Sequence, residues 1–262
     1  MKSITKKISL LALLSAVLFL SSCLDSGDNS YFGNDEYSYI TQTDMGGVYA
    51  RTAAGFLITS ERINLMTPGS VALLTYQIDD DTEQIKIDDH TILHKVRLAK
   101  EPTILNPESL QNRPAPEDSS NPVYFDNILT PPLWVTQSSL YFGDRWPFTV
   151  QYKAKKGENM KVSFYRVPDD ELPENLNADV LVDIRMIKTG TPESGAQEEL
   201  KREDIVANMS LIRDMSSNIE VDTGSMQNPG TKDIRIKFRF YRQDIKEELY
   251  ISHQPIVMTV AV

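Results

Sequence analysis

The chain has 262 residues, 40% of them hydrophobic and 24% charged, which is the profile of a folded soluble body. Its formal charge of −10 and pI near 4.9 exclude nucleic acid as an expected partner, because phosphate binding needs a basic surface. A single cysteine excludes a disulfide framework and a thiolate zinc cluster, and no apolar run reaches the ~18 residues of an ordinary membrane span.

The N-terminus reads MKSITKKISLLALLSAVLFLSSC. A basic start precedes an apolar stretch from Ile8 to Leu20. At ~1.5 Å per residue that stretch spans roughly 20 Å, short of a ~30 Å hydrocarbon core, so residues 1–22 read as a signal peptide. Its removal takes Lys2, Lys6 and Lys7 with it, and the charge falls from −10 to −13. Leu20-Ser21-Ser22-Cys23 resembles the bacterial lipoprotein signal. That resemblance implies that Cys23 carries a diacylglyceryl group and begins the mature chain. An exported thiol without a partner is otherwise an oxidation liability. More than one acyl chain gives stable anchoring, so the expected location is the outer membrane, with the body facing either the cell surface or the periplasm.

Residues 23–42 read as an acidic tether, rich in Gly, Ser, Asn and Asp and carrying Asp25, Asp28, Asp35 and Glu36. The scattered acids resemble a lipoprotein surface-export signal, and a solvated tether explains them equally. From about Tyr37 the pattern turns to strands. Strands are expected near Val48–Ser60, Val71–Ile78, Gln84–Ile87 and Thr91–Ala99, separated by Thr67-Pro68-Gly69, Asp79–Asp81 and Asp88-Asp89. Residues 101–122 hold five of the fourteen prolines and read as part of a linker, placed at 106–125. Strand signals resume at Leu133–Phe142, Phe148–Lys153, Met160–Val167, Val180–Lys188, Asp233–Arg242, Glu248–Ser252 and Ile256–Val262. Glu203–Met215 fits helix or strand, and its surroundings favour strand. The fold class is all-β, in two parts: residues 43–105 and 126–262.

Four segments carry a family resemblance: LSSC at 20–23, GGVYARTAAGFLIT at 46–59, PGSVALLTYQIDDD at 68–81 and KIDDHTILHKVRLAKEPTI at 86–104. With WVTQSSLYF at 134–142 they make the chain similar to the NigD-like lipoprotein family. The segment 46–59 resembles that family's opening hairpin. The resemblance implies an N-terminal OB-like small barrel followed by a C-terminal immunoglobulin-like β-sandwich. It implies no catalytic residues, and the family's name points to a bacteriocin-associated locus.

A search for chemistry finds little. His90, His94 and His253 are the only histidines. His90 and His94 lie four residues apart, which on a strand is roughly 13 Å and too far to share one metal. No G-x-S-x-G elbow, phosphate loop or G-x-G-x-x-G is present. Asp79-Asp80-Asp81-Thr82-Glu83 lacks calcium-loop spacing. Asp169, Asp170 and Glu171 sit in a proline-flanked turn with no cause for a raised pKa. No cofactor or metal is therefore expected. Eight aromatics crowd between Trp134 and Tyr165. Core packing accounts for most of them, with Trp134, Tyr141 and Trp146 the candidates for a ligand-facing set. The expectation is a non-enzymatic lipoprotein presenting the sandwich to a protein or glycan partner. The alternatives are a bacteriocin immunity or accessory protein and, least supported, a polysaccharide-acting enzyme.

Overall fold

The structure, a computed structural model, describes residues 30–87, 91–116, 124–130, 142–218 and 231–261. The first part is built from β1 (Tyr31–Gln42), β2 (Val48–Thr52), β3 (Leu57–Thr59), β4 (Val71–Ile78), β5 (Gln84–Lys86), β6 (Ile92–Lys95) and β7 (Thr103–Leu105). β1 pairs antiparallel with β2 and β4, β2 with β3, and β3 runs parallel to β6. A bridge from Tyr76 on β4 to Leu98, just past β6, closes the ring. This is the strand circuit of a small OB-like barrel. A 3-10 turn at Ile63–Leu65 inserts Ile63, fully buried, between β3 and β4. The barrel core gathers Ile40, Ile58, Ile63, Leu74 and Tyr76.

The second part comprises β8 (Pro107–Gln111), β9 (Phe125–Thr130), β10 (Arg145–Lys155), β11 (Glu158–Arg166), β12 (Val180–Gly190), β13 (Glu198–Asn208), a helical turn α1 (Ser210–Asp214), β14 (Thr231–Arg242), β15 (Ile245–Ile251) and β16 (Ile256–Ala261). The sheet runs β12-β11-β8-β13-β10-β9-β14, and β14 returns to pair with β12. The two layers of the sandwich thus belong to one curled sheet. Strand alternation explains its filling. Trp146, Phe148, Val150, Tyr152 and Ala154 point inward from β10, and Ile234, Ile236, Phe238 and Phe240 from β14. The fold is all-β and two-part, as the sequence led us to expect.

Three expectations are corrected. The tether does not extend to residue 42, because β1 occupies Tyr31–Gln42 and lies inside the barrel sheet, between β2 and β4. Asp35 and Glu36 are partnered within the fold. Asp35 pairs with Lys100 at 2.5 Å, and Glu36 Oε2 accepts from the hydroxyls of Tyr76 at 2.7 Å and Tyr31 at 3.0 Å. A bulge between Gly33 and Glu36 makes this possible, and a Cβ at Gly33 would stand 2.4 Å from the Tyr76 ring. The linker at 106–125 is corrected as well. β8 lies between β11 and β13, running parallel to both, with Leu110 in the core, and Phe125 opens β9 fully buried. Pro107 sits at the strand's first residue, where proline is tolerated. Glu203–Met215 divides: it is strand to Asn208 and helical from Ser210. Val48–Ser60 is a hairpin, β2 and β3 turning at Gly55 with φ +96°.

The two parts meet along β1. The Tyr37 hydroxyl donates to Asp204 Oδ1 at 2.5 Å and lies 2.9 Å from Thr149 Oγ1, which donates to the same carboxylate oxygen at 2.7 Å. Burial pushes the Tyr37 phenol well above its ordinary value, and the bond to Asp204 adds to the rise. Arg145 Nε donates to the Gly69 carbonyl at 3.2 Å. Val71, Phe142 and Val206 bury together beside these polar contacts. Gly143 has φ +56°, and a Cβ there would meet the Tyr39 hydroxyl at 3.0 Å.

Candidate functional site

The aromatic set read from the sequence does not form a binding face where it is described. Trp146 is 2% exposed and packs edge-on against Phe238 at 6.2 Å. The cause is register: Trp146 shares the inward face of β10 with Phe148 and Tyr152. Trp146 is therefore corrected from candidate ligand contact to core residue. Tyr165 is 5% exposed, with the Arg113 guanidinium over its ring at 5.6 Å. Trp134, Tyr141, Cys23 and His90 lie outside the described residues. His94 meets the Phe56 ring edge-on at 5.9 Å, and His253 meets Tyr250 in the same way at 5.8 Å. Among the described residues no three His, Cys, Asp or Glu side chains gather as metal donors.

The described surface carries a concavity on the barrel instead. A groove of about 660 Å³ lies between the β1–β2 loop and the β5–β6 hairpin. The loop Thr43–Gly47 closes on itself. Thr43 N donates to Gly47 O, Gly46 N to Thr43 O, and Gly47 N to Thr43 Oγ1, at 2.9, 2.9 and 3.0 Å. Gly46 supplies the left-handed residue, φ +83°, that this tight loop requires. The loop leaves Met45 projecting, 96% exposed. Opposite it, Ile85 and Ile87 alternate on the β5 segment at 39% and 40% exposure, and Leu93 lies beneath. The floor is polar and internally satisfied: Thr59 Oγ1 donates to Asn64 Oδ1 at 3.0 Å. At the rim Lys95 pairs with Glu83 at 2.7 Å, and this contact raises the lysine pKa. Among the described residues no aromatic ring lines the groove. A second cleft, about 540 Å³, adjoins it and shares Ser60, Glu61 and Lys95. Its charges are largely internal, with Arg62 paired to Glu101 and Lys100 to Asp35.

The sequence reading passed over this groove because no motif marks it. Its one legible signal is Met45 in a Gly-rich turn, a large apolar side chain where turns are usually polar.

Comparison with known proteins places the fold. No family profile matches the chain, and no curated protein matches it. Solved structures do. An uncharacterised protein of Parabacteroides merdae is 11% identical over 86% of this chain and 97% of its own, with a TM-score of 0.53. A candidate lipoprotein of Bacteroides fragilis is 13% identical over 89% of this chain and 98% of its own, with a TM-score of 0.49. A NigD-like immunity protein of Bacteroides caccae is 14% identical over 86% and 92%, with a TM-score of 0.45. At these identities the likeness is one of fold.

Proposed function

We propose that this protein is a non-enzymatic, lipid-anchored lipoprotein of the outer membrane that binds a protein partner through its barrel. The observation that carries the anchor is the chain's sole cysteine, Cys23, directly after Leu-Ser-Ser at the end of a 13-residue apolar stretch, Ile8–Leu20. The first described strand begins at Tyr31, eight residues after Cys23. At ~3.5 Å per residue the intervening chain spans about 28 Å at most, so the barrel is the part held near the bilayer. The groove beside the Thr43–Gly47 loop supports the binding reading, because it exposes the aliphatic side chains of Met45, Ile85 and Ile87.

The test is direct. Cys23→Ala should release the protein from membranes into the soluble envelope fraction and abolish metabolic labelling with a fatty acid. A variant that stays membrane-bound and labelled overturns the anchor. Protease added to intact cells, beside a periplasmic control protein, assigns the face: cleavage of this protein alone places the body outside.

A further inference from the structure

The barrel sheet ends in an open edge beside the groove. β5 stands last in the strand order and, among the described residues, pairs with β6 alone. Its three residues, Gln84, Ile85 and Lys86, are all exposed. Hydrogen bonds carry the β5–β6 ladder on to Glu83 and Ile87: Lys95 N donates to Glu83 O at 2.8 Å, and Ile87 N to Thr91 O at 2.9 Å. Residues 83, 85 and 87 therefore turn their backbone groups toward β6. Gln84 lies between them and turns its N–H and C=O the other way, toward the open edge. Neither a proline nor a bulge interrupts residues 83–87. An edge left in this form is a template for one more strand.

The groove lies against one face of the same strand. Alternation puts Ile85 and Ile87 on that face, and the ladder sets Leu93 beside Ile85. The charged lining is balanced, Asp44 and Glu61 against Lys86 and Lys95, so the groove favours neither a cationic nor an anionic occupant. A strand added to β5 lies about 4.8 Å from it, with every second side chain on the groove face. Backbone groups along an edge, with aliphatic side chains beside it, suit an extended chain that carries small apolar residues at alternate positions.

We infer that the open edge of β5 receives an extended, uncharged aliphatic segment of a partner protein, which adds to the barrel sheet as a further strand and lays its side chains in the groove. This rests on the binding reading of the barrel given above, and it is independent of the anchor at Cys23. Main-chain hydrogen bonds fix the register of the segment, and Met45, Ile85 and Ile87 select its side chains.

The experiment uses the mature chain as residues 24–262, and a fluorescein-labelled seven-residue peptide of alternating Thr and Val. Two further peptides carry N-methyl groups, one on the Val amides and one on the Thr amides. Alternate amides of a strand point to opposite edges, so only one of the two sets faces β5. Fluorescence anisotropy should show that methylating one set weakens binding at least about tenfold, while methylating the other leaves it within about twofold. Gln84→Pro removes an N–H that the β5–β6 ladder does not use, and should also weaken binding about tenfold with an unchanged unfolding midpoint. If that variant misfolds, the methylated peptides still decide the matter on the parent chain. Replacing Val by Lys or by Glu should weaken binding to a similar degree. Equal affinity for both methylated peptides overturns the proposal, and so does a clear preference for either charged peptide. A concentration-dependent dimer abolished by Gln84→Pro would assign the edge to a second copy and overturn it as well. Photo-crosslinking in cells from benzoylphenylalanine placed at Met45 reads the barrel's binding role separately. Adducts there without peptide binding overturn strand addition alone, and the absence of both removes the two readings together.

Discussion

The barrel and the second domain use apolar side chains in opposite ways. In the described residues the second domain buries seven aromatic rings in one core: Phe125, Trp146, Phe148, Tyr152, Phe164, Phe238 and Phe240. The barrel core holds one, Tyr76, among small and aliphatic residues. Yet it is the barrel that leaves Met45, Ile85 and Ile87 in solvent around a groove. In the described part of the aromatic run, Trp146, Phe148, Tyr152 and Phe164 pack into the second domain's core. Rings of this size contribute most when buried, and a curled sheet has an interior wide enough to take them.

The sharpest way to break this comparison is to remove a ring from the second core. Trp146→Ala should cost about 3–5 kcal/mol in denaturant unfolding. A loss under about 1 kcal/mol would mean that Trp146 is not a packed residue. Tyr37→Phe tests whether the two domains unfold together. It removes the hydroxyl that Asp204 accepts across the junction and should cost about 1–3 kcal/mol. Calorimetry should then resolve two transitions where the parent shows one.

A third measurement concerns alkali. Burial raises the phenol pKa values of Tyr37, Tyr76 and Tyr152 well above their ordinary value near 10. A raised value in the folded state means that the unfolded chain binds fewer protons above pH ~10, so stability is full below that pH and falls as pH rises further. Unfolding midpoints should hold level up to pH ~10 and then decline. Tyr76→Phe should make the decline shallower. A stability independent of pH between 10 and 12 would contradict the burial of all three.

The smallest effect is expected at the groove. Met45→Ser should change stability by no more than about 0.5 kcal/mol, because its side chain touches solvent and little else. A large loss there would mean that the loop Thr43–Gly47 is part of the barrel's support rather than a free rim.

Legibility in the sequence followed the distance over which each element is stabilised. β4 was readable to the residue, Val71–Ile78, since a Pro-Gly turn and an acidic run bound a mostly apolar stretch. β10 and β14 were read in part, as Phe148–Lys153 and Asp233–Arg242 within Arg145–Lys155 and Thr231–Arg242. β1 was not, because Gly33, Asn34, Asp35 and Glu36 have the composition of a solvated tether. What turns them into a bulged strand comes from elsewhere: the Tyr76 hydroxyl, Lys100 and the amide of Ala54, which donates to Glu36 Oε1 at 2.5 Å. β8 was hidden by its prolines, and both strands that flank it follow it in the chain by 47 residues or more.

The sequence by itself determined the lone cysteine, the all-β class and most strands of both domains. Each of these is a local property, readable from hydropathy, spacing and turn chemistry. Tertiary structure alone decided three things. It made the acidic segment a central strand, it turned Trp146 inward, and it brought the Thr43–Gly47 loop beside Ile85 and Ile87 to form a groove. Each depends on which side chain meets a partner far along the chain, and strand pairing and register set that.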